Sequence, residues 1–312
     1  MTRVVALGGG HGLAATLAAA RRYADDVCAI VSVADDGGSS GRLRADFGIP
    51  PPGDLRKCLV ALAPEGSLWA GAFEHRFSAG DLEGHAFGNL VIAGLADATG
   101  DFEGAVAEAG RLLGAVGRVL PATREPVVLK ATIGAGPAAP GGPGGPGGVV
   151  APGGPGSSGG ERGSVSGQVA VANAGPIASV SLVPADPEPP AEALAALAAA
   201  DQVVIGPGSL YTSVLAVVAV PALRDALATT PGRKVYVCNL REQPPETAGY
   251  DVADHVAALS AHGLDVDTVL YHPGALPVGR PTVRCVEQLV ARPGGSAHDP
   301  VRLAAALEAL VG

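Results

Sequence analysis

The segment VVALGGGHGLAATL, residues 4 to 17, decides the fold class. Val4 to Leu7 form a short apolar run that is typical of a buried strand, and it ends in the glycine-rich stretch Gly8 to Gly12. Apolar residues then recur at helical spacing from Leu13 to Ala20. A second apolar run, Val27 to Ala34, predicts the next strand. Two strands joined through a helix form a right-handed βαβ unit, and both strands end at the same edge of the sheet.

The remainder of the chain continues this alternation around a more irregular centre. Residues 55 to 117 have a helical pattern, whereas residues 118 to 133 and 167 to 184 resemble extended β structure. Later strands are predicted at Gln202 to Ile205, Lys234 to Cys238 and, as the last strand, Val266 to Tyr271. Helices are predicted at Ala191 to Ala200, from the end of the loop at 206–213 to about Ala228, and around Val252 to His262. A final helix is predicted after Asp299, which would be its N-cap. We therefore expect an α/β fold: a Rossmann-like, doubly wound, mostly parallel sheet with helices on both faces and a small β excursion.

Residues 134 to 163 differ from the rest of the chain, because they consist almost entirely of glycine, proline, alanine and serine. Such a segment cannot bury enough apolar surface to offset its chain entropy, so we expect a disordered insertion in the β excursion. The insertion aside, we expect one domain spanning residues 1 to 312.

The composition excludes several classes of function. The chain has 312 residues, a net charge of −9 and 47% apolar residues, and its acidity argues against a nucleic-acid or anionic-membrane partner. The four cysteines lie far apart without zinc-binding spacing, so we expect reduced, buried thiols. No apolar stretch reaches the length of a membrane span, and the N-terminus does not resemble a signal peptide. We expect a cytoplasmic protein.

The richest polar segment is DDGGSSGRLR, residues 35 to 44, which follows the second predicted strand. Its two carboxylates could hold a metal, a ribose or a ring, and its glycines permit close backbone approach to a ligand. Ser39, Ser40 and Arg42 add donors suited to phosphate oxygens. A merely solvated loop is the competing interpretation.

Four further segments carry candidate ligand contacts. GGGHG could place backbone amides around a phosphate at a helix N-terminus, although a tight turn without a ligand is the alternative. GPGSLYTS at 206–213 resembles an anion-binding nest, and NLREQPPET at 239–247 offers groups that could read a ribose or a base edge, or simply cap the next helix. Asp54 is either a helix N-cap or a ligand contact, and His85 and Asn89 are as compatible with a buried structural role as with a functional one.

Because each glycine-rich loop follows a strand, we expect the loops at 8–12, 35–42, 206–212 and 239–247 to converge on one cleft at the switch point of the sheet. The residues expected to bind the ligand are Gly8, Gly9, Gly10, His11, Gly12, Asp35, Asp36, Gly37, Gly38, Ser39, Ser40, Arg42, Asp54, Asn89, Gly206, Gly208, Ser209, Tyr211, Thr212, Asn239, Gln243, Glu246 and Thr247. No nucleophile elbow, HExxH or EF-hand spacing occurs, so no residue is assigned to catalysis or to a metal.

Taken in order, GGGHGLAATL, VSVADDGGSSGRLR, PPGDLRKCLVALA, GHAFGNL, GPGSLYTS and NLREQPPET resemble the YvcK proteins, or gluconeogenesis factors, of the CofD-like superfamily. The resemblance implies a Rossmann-like core that binds UDP-N-acetylglucosamine, with no required cofactor. It also implies a regulatory role in cell-wall synthesis, cell shape and growth on gluconeogenic carbon. Cell-wall synthesis proteins and a second copy of the chain are the partners it suggests.

The resemblance also supplies a rival function. CofD enzymes transfer a phospholactyl group from a guanine dinucleotide-like donor to a deazaflavin with magnesium, and their matching aspartate pair, here Asp35 and Asp36, contacts the deazaflavin. The sequence VADDGGSS at 33–40 differs from the Asn-Thr-Gly-Asp-Asp loop of those enzymes, which favours a sensor. A dinucleotide-dependent reductase has less support, because no acid or base for hydride transfer stands out.

The chain departs from the YvcK pattern at several positions. His11 stands where threonine is usual, Pro245 where glycine is usual, and Gly167-Gln168 replaces Gly-Glu. Ala297 stands where many relatives carry an arginine that contacts the nucleotide sugar, and Arg292 is the substitute we consider.

Overall fold

A mostly parallel sheet organises the molecule. The computed structural model describes residues 1–134 and 163–311. Within them, seven strands form one sheet in the order β10-β9-β8-β7-β1-β2-β3, and three form a small antiparallel sheet in the order β5-β4-β6. The strands are β1 Arg3–Gly8, β2 Asp26–Val31, β3 Arg118–Pro121, β4 Val128–Ile133, β5 Ser164–Ser166, β6 Ile177–Val183, β7 Gln202–Ile205, β8 Arg233–Val237, β9 Thr268–Tyr271 and β10 Arg284–Glu287.

Helices surround the large sheet, as the sequence predicts. They are α1 Gly10–Ala20, α2 Gly38–Phe47, α3 Gly53–Leu62, α4 Leu68–Glu74, α5 Phe87–Thr99, α6 Phe102–Leu113, α7 Gln168–Ala172, α8 Ala191–Ala199, α9 Leu215–Val218, α10 Pro221–Thr229, α11 Val252–Ala261 and α12 Pro300–Glu308. Helices α1, α3, α6 and α12 pack in one layer, and α8, α9 and α10 pack in another; both layers contact the sheet. Residues of β1, β2, β7 and β8 that face these layers form the core of small aliphatic side chains.

The order of the strands reverses next to β1, because the chain adds strands first on one side of β1 and later on the other. From β1 it proceeds through β2 to β3 on one side, and it later returns to build β7, β8, β9 and β10 on the other side. Strand β1 pairs in parallel with both β2 and β7, with Leu7 opposite Ile30 and Ile205. Loops that leave the carboxyl ends of β1 and β7 therefore flank a switch point, which is where open α/β sheets bind ligands.

The small sheet is the predicted β excursion. Strand β4 pairs antiparallel with β5 and with β6, and it turns Leu129 and Ala131 into the core. The insertion predicted at 134 to 163 connects β4 to β5. Nearly all of it, residues 135–162, lies outside the described residues.

The structure corrects several local predictions. Residues 38–47 form α2, so most of the polar segment at 35–44 is the start of a helix rather than a loop. Residues 168–172 form α7 instead of extended structure, and β10 follows the strand that we predicted to be the last. The helix predicted to continue to Ala228 breaks before Pro221, because proline favours the first turn of a new helix.

Other predictions hold with small shifts in their bounds. The N-cap prediction for the final helix is confirmed, because Asp299 accepts hydrogen bonds from the amides of Val301 and Arg302. Cys28, Cys58 and Cys238 are buried free thiols as expected, whereas Cys285 is exposed on the edge strand β10. In the described part of the chain, no single helix is long and apolar enough to span a membrane; the bent pair Leu210–Val218 and Pro221–Thr229 passes by length and composition only.

His255 of α11 and His262, which follows the last residue of α11, each place Nδ1 on a carbonyl four residues earlier in the chain. His262 accepts a hydrogen bond from the Val180 amide at Nε2 (3.3 Å), and its Nδ1 lies 2.7 Å from the carbonyl of Ala258, to which it donates. His255 is fully buried, and its Nδ1 lies 2.9 Å from the carbonyl of Asp251. Burial lowers the pKa of both imidazoles, so the folded state keeps them neutral.

We therefore expect the free energy of unfolding to fall as the pH drops below about 6.5, the ordinary histidine pKa. In this range the two histidines bind protons in the unfolded chain but not in the folded chain. Each histidine therefore lowers the free energy of unfolding by up to about 1.4 kcal/mol per pH unit. Urea unfolding at pH 7.5 and 5.5 measures the effect. His262→Gln retains a donor and an acceptor but cannot titrate, so it should reduce the loss; an unchanged pH dependence would contradict this assignment.

Candidate functional site

The loops after β1 and β7 meet in direct backbone contact. A side chain at Gly12 would collide with the carbonyl of Pro207, and a Cβ at Gly9 would lie only 2.6 Å from Oδ2 of Asp54. The hydroxyl of Thr16 donates to the carbonyl of Gly206 at 2.7 Å and fixes α1 to the same loop. Glycine at positions 9 and 12 is thus required by close approach between chain segments.

Beside this contact lies an open pocket of about 180 Å³. Its wall is formed by four segments of the chain: residues 11–15, 207–208, 239–243 and 296–298. Three of these segments were predicted to converge at the switch point, and the structure brings them together. The fourth, just before α12, was not among the predicted site residues.

A carboxylate from α3 occupies part of the glycine loop after β1. Asp54 accepts a hydrogen bond from the Gly10 amide (2.7 Å) and is paired with Lys57 at 3.0 Å. Asp54 lies inside α3, whose first turn has no side-chain cap, so the N-cap interpretation was wrong. The Leu13 amide bonds the carbonyl of Gly9, whereas the amides of His11 and Gly12 have no hydrogen-bond partner among the described residues.

A second carboxylate fills the nest that we predicted after β7. Glu246 is buried and accepts hydrogen bonds from the amides of Tyr211 (2.6 Å) and Thr212 (3.2 Å), and from the hydroxyl of Thr212 (3.3 Å). Burial raises the pKa of Glu246, and these three donors oppose the rise. The amides at the start of the π-helical turn Leu210–Val214 are therefore already satisfied from within the protein.

Side chains of the segment 239–247 mainly hold the loops in place. Asn239 accepts from the Gly208 amide at 3.0 Å and donates to the Gly208 carbonyl and to Oε1 of Gln243. Thr247 accepts from the Gln243 amide, and Gln243 reaches the hydroxyl of Ser209 at 3.5 Å. Asn239 and Gln243 line the pocket, but the amide of Asn239 is largely committed to the neighbouring loop.

Arg241 is the pocket residue that sequence reasoning missed within a motif it had identified. It is exposed on the wall, and no hydrogen bond or ion pair holds its guanidinium in the described part of the chain. Ser296, Ala297 and His298 complete the wall from a short hairpin in which Ala291 pairs with His298. The only signal for Arg241 was its place between Asn239 and Gln243.

The aspartate pair lies near the switch point but does not line the pocket. Asp35 accepts from the Gly37 amide (3.0 Å), and burial raises its pKa. Asp36 accepts from the Val169 amide of α7 (3.0 Å), whose neighbour Gln168 donates to the Thr212 carbonyl (3.3 Å). The segment after β2 is thus connected through α7 to the loop after β7.

The remaining predicted residues form an internal network. The Ser39 hydroxyl lies 3.1 Å from Nδ1 of His85 and accepts from Asn89, and Asn89 in turn accepts from the buried guanidinium of Arg56. The second serine of the pair, Ser40, is buried as well, and Arg42 donates to the carbonyl of Glu83 at 2.9 Å. Gly37 caps α2 and Gly38 begins it, and Gly8 ends β1. These contacts attach α2 to α3 and α5 and leave Ser39 and Asn89 without a role in the pocket wall.

The described residues contain no cluster of three or more His, Cys, Asp or Glu side chains close enough to hold a metal ion. Magnesium in phosphoryl-transfer sites is commonly held by one or two carboxylates together with substrate phosphates. Asp35 is the carboxylate that fits such a role, because Asp54 is already bonded to the Gly10 amide and to Lys57.

We predict that Glu246→Ala destabilises the fold by about 2–5 kcal/mol, because it leaves two buried amides without an acceptor. Glu246→Gln keeps an oxygen for them and should cost less than about 1.5 kcal/mol. The matched control is Glu242→Ala in the same segment, whose exposed carboxylate accepts one bond, from the Gly249 amide. Chemical unfolding compares the three; equal losses for Glu246→Ala and Glu242→Ala would contradict the capping role.

Comparison with known proteins places this geometry in a family. The family model described as 2-phospho-L-lactate transferase CofD matches residues 4–281. A Mycobacterium leprae protein whose name includes the words gluconeogenesis factor is 42% identical over 98% of this chain and 85% of its own length. The gluconeogenesis factor of Bacillus subtilis is 40% identical over 88% of this chain and 80% of its own.

A solved structure extends the similarity to three dimensions. The crystal structure of a UPF0052 family protein from Bacillus halodurans superimposes with a TM-score of 0.85, at 34% identity over 98% of each chain. The family model, the relatives and the fold agree over nearly the whole chain. This chain therefore belongs to the CofD family, in the YvcK branch of gluconeogenesis factors.

Proposed function

We propose that the switch-point pocket binds a nucleotide sugar and that its diphosphate lies between the start of α1 and Arg241. The unpaired amides of His11 and Gly12 point from the first turn of α1, where the helix dipole favours an anion. Arg241 provides a cation without a partner on the same wall. The observation that carries the proposal is this pairing of free amides with a free guanidinium in a protein of net charge −9.

The two internal carboxylates restrict where the diphosphate can lie. Asp54 occupies the Gly10 amide and Glu246 occupies the amides of Tyr211 and Thr212, so a phosphate placed there would meet like charge. We expected the diphosphate to rest on both glycine loops. The geometry instead favours the side of α1 that faces residues 239–243, with Pro207 and Gly208 as a neighbouring wall.

Family membership supports a proposal for the particular nucleotide sugar and its role. YvcK proteins imply UDP-N-acetylglucosamine as the ligand, and the relatives carry the name gluconeogenesis factor. We propose that binding regulates cell-wall synthesis, cell shape and growth on gluconeogenic carbon, through cell-wall synthesis proteins and with a homodimer as the binding unit. The protein then acts in the cytoplasm as a sensor and needs no cofactor.

Arg241 can also take the place of the arginine that many relatives carry at the position of Ala297. Arg292, the substitute that we considered, lines a different pocket formed with residues 18–22 and 60–66. Arg241 lies on the same wall as Ala297. A guanidinium can therefore reach the ligand from residues 239–243 rather than from the hairpin before α12.

A phospholactyl transferase is the second candidate, because the matching family model carries that activity in its description. In this alternative Asp36 would position the deazaflavin, and Asp35 would help to hold a magnesium ion that would neutralise phosphate charge. Asp36 already accepts a hydrogen bond from Val169, which supports a structural role instead.

We predict that titration calorimetry detects UDP-N-acetylglucosamine binding and that Arg241→Ala weakens it roughly 10- to 100-fold, the effect of losing one charge-assisted contact to phosphate. Arg292→Ala is the matched control, since it removes a nearby arginine that does not line the pocket, and it should leave affinity unchanged. Absence of heat at millimolar ligand would refute the proposed function.

Incubation with a deazaflavin, a nucleotide-activated phospholactate and magnesium separates the two candidates. The sensor proposal predicts no product. A product that disappears in Asp36→Asn would establish the transferase in its place.

A further inference from the structure

The edge of the large sheet at β3 carries backbone groups that the fold leaves unpaired. The Ala122 amide donates to the Val31 carbonyl at 2.8 Å, so every second residue from 118 to 122 directs its backbone groups toward β2. The N–H and C=O of Val119 and the C=O of Pro121 therefore point away from β2. None of them is bonded to another backbone segment among the described residues. Proline is tolerated at this position, because the N–H that it lacks would not have joined the ladder.

A groove of about 450 Å³ lies against these unpaired groups. This edge groove is lined by residues 101–111 in and before α6, by residues 115–124 around β3, by Leu59 of α3 and by Glu192 of α8. Since α3 and α6 belong to one helix layer and α8 to the other, the groove follows the sheet edge between the two layers. Val119 is only 6% exposed, so its amide is recessed in the groove, where a hydrogen-bonding occupant would stabilise it.

The two sides of the edge groove differ in chemistry. On the side of α6 the wall is mainly apolar, with Val106, Ala107 and Gly110. On the side of α8 the wall is the exposed carboxylate Glu192, which has no hydrogen bond or ion pair in the described part of the chain. Successive side chains of an extended segment point to opposite faces of a sheet, so such a segment would place every second side chain against α6 and the others toward α8.

The charge of the groove favours a basic occupant. Asp101, the N-cap of α6, lines the groove together with Glu192 and likewise has no ion pair within the described ranges. The three arginines of the rim are each compensated by a carboxylate: Arg111 by Glu108, Arg118 by Asp26 and Arg124 by Glu103. The uncompensated charge of the groove is therefore negative, and it attracts cationic side chains.

We propose that the edge groove binds an extended segment of a partner protein, in which apolar and basic side chains alternate, as an additional strand beside β3. The backbone of the segment pairs with Val119 and Pro121. Its apolar side chains pack against α6, and its basic side chains face Glu192. The edge groove shares no lining residue with the nucleotide-sugar pocket, so this inference does not depend on the ligand.

The probe is the rhodamine-labelled peptide Val-Lys-Val-Lys-Val-amide, titrated with the full chain and followed by fluorescence anisotropy. The peptide should bind, and a version with glutamate in place of both lysines should bind at least about 10-fold more weakly, because like charges then face each other. Glu192→Gln should weaken binding of the lysine peptide about 2- to 5-fold, the effect of one exposed ion pair. Glu125→Gln is the matched control, since it removes an exposed carboxylate that does not line the groove, and it should leave the affinity unchanged.

Two further peptides test whether the probe is held as a strand. One carries an N-methyl group on the central valine and the other on the lysine that follows it, so they lack an N–H on opposite sides of the extended backbone. Only one of these sides faces β3. One N-methyl peptide should therefore bind at least about 10-fold more weakly than the parent, and the other should bind within about threefold of it. Hydrogen exchange of the Val119 amide should also slow when the parent peptide binds.

Three outcomes would overturn the inference. Anisotropy that does not rise at millimolar protein would show that the groove takes no such segment, and equal losses for the two N-methyl peptides would show that binding is not strand addition. A dimer of the chain that the peptide dissociates would identify a second copy as the occupant in place of a partner protein. Each of these outcomes leaves nucleotide-sugar binding, which calorimetry measures separately, unaffected.

Discussion

The structure depends on the backbone contact between two glycine-containing loops at the centre of the sheet. Strand β1 lies between β2 and β7, and the loops that leave β1 and β7 meet where Gly12 packs on the carbonyl of Pro207. A β-carbon at Gly12 would force these segments apart, and one at Gly9 would lie 2.6 Å from Oδ2 of Asp54. The pocket is formed beside this contact, so the requirements of folding and of ligand binding apply to the same few residues.

Buried carboxylates determine which part of the switch point is available to an anion. Asp54 satisfies one amide at the start of α1, and Glu246 satisfies two at the start of the turn after β7. Each stabilises a helix terminus that would otherwise have unpaired donors, and each repels a phosphate from that place. The amides and cation that remain lie together on one side, between α1 and residues 239–243. An acidic protein can in this way present a localised site for a negatively charged ligand.

Sequence reasoning predicted the architecture and the convergence of three of the four loops, because both follow from strand and helix periodicity and from the rule that parallel strands end at one edge; the loop at 35–42 does not line the pocket. It could not predict which polar groups are already paired. Ser39 and Asn89 have the chemistry of phosphate and sugar ligands, yet the structure uses them to attach α2 to neighbouring helices. Glu246 resembles a ribose contact in the sequence, and only the fold shows that it caps a helical turn. Arg241 was missed although it lies in the predicted loop 239–247, because the sequence does not show that its guanidinium lacks a partner. His298 was missed because the hairpin that presents it leaves no clear periodic signal.

The central claim is that one pocket, bounded by residues 11–15, 207–208, 239–243 and 296–298, holds the diphosphate of an activated sugar. The most direct measurement is a crystal structure of the protein grown with UDP-N-acetylglucosamine. The account predicts density for the diphosphate within hydrogen-bonding distance of the His11 and Gly12 amides and of the Arg241 guanidinium. Density for the diphosphate against Asp35 and Asp36, with this pocket empty, would contradict it.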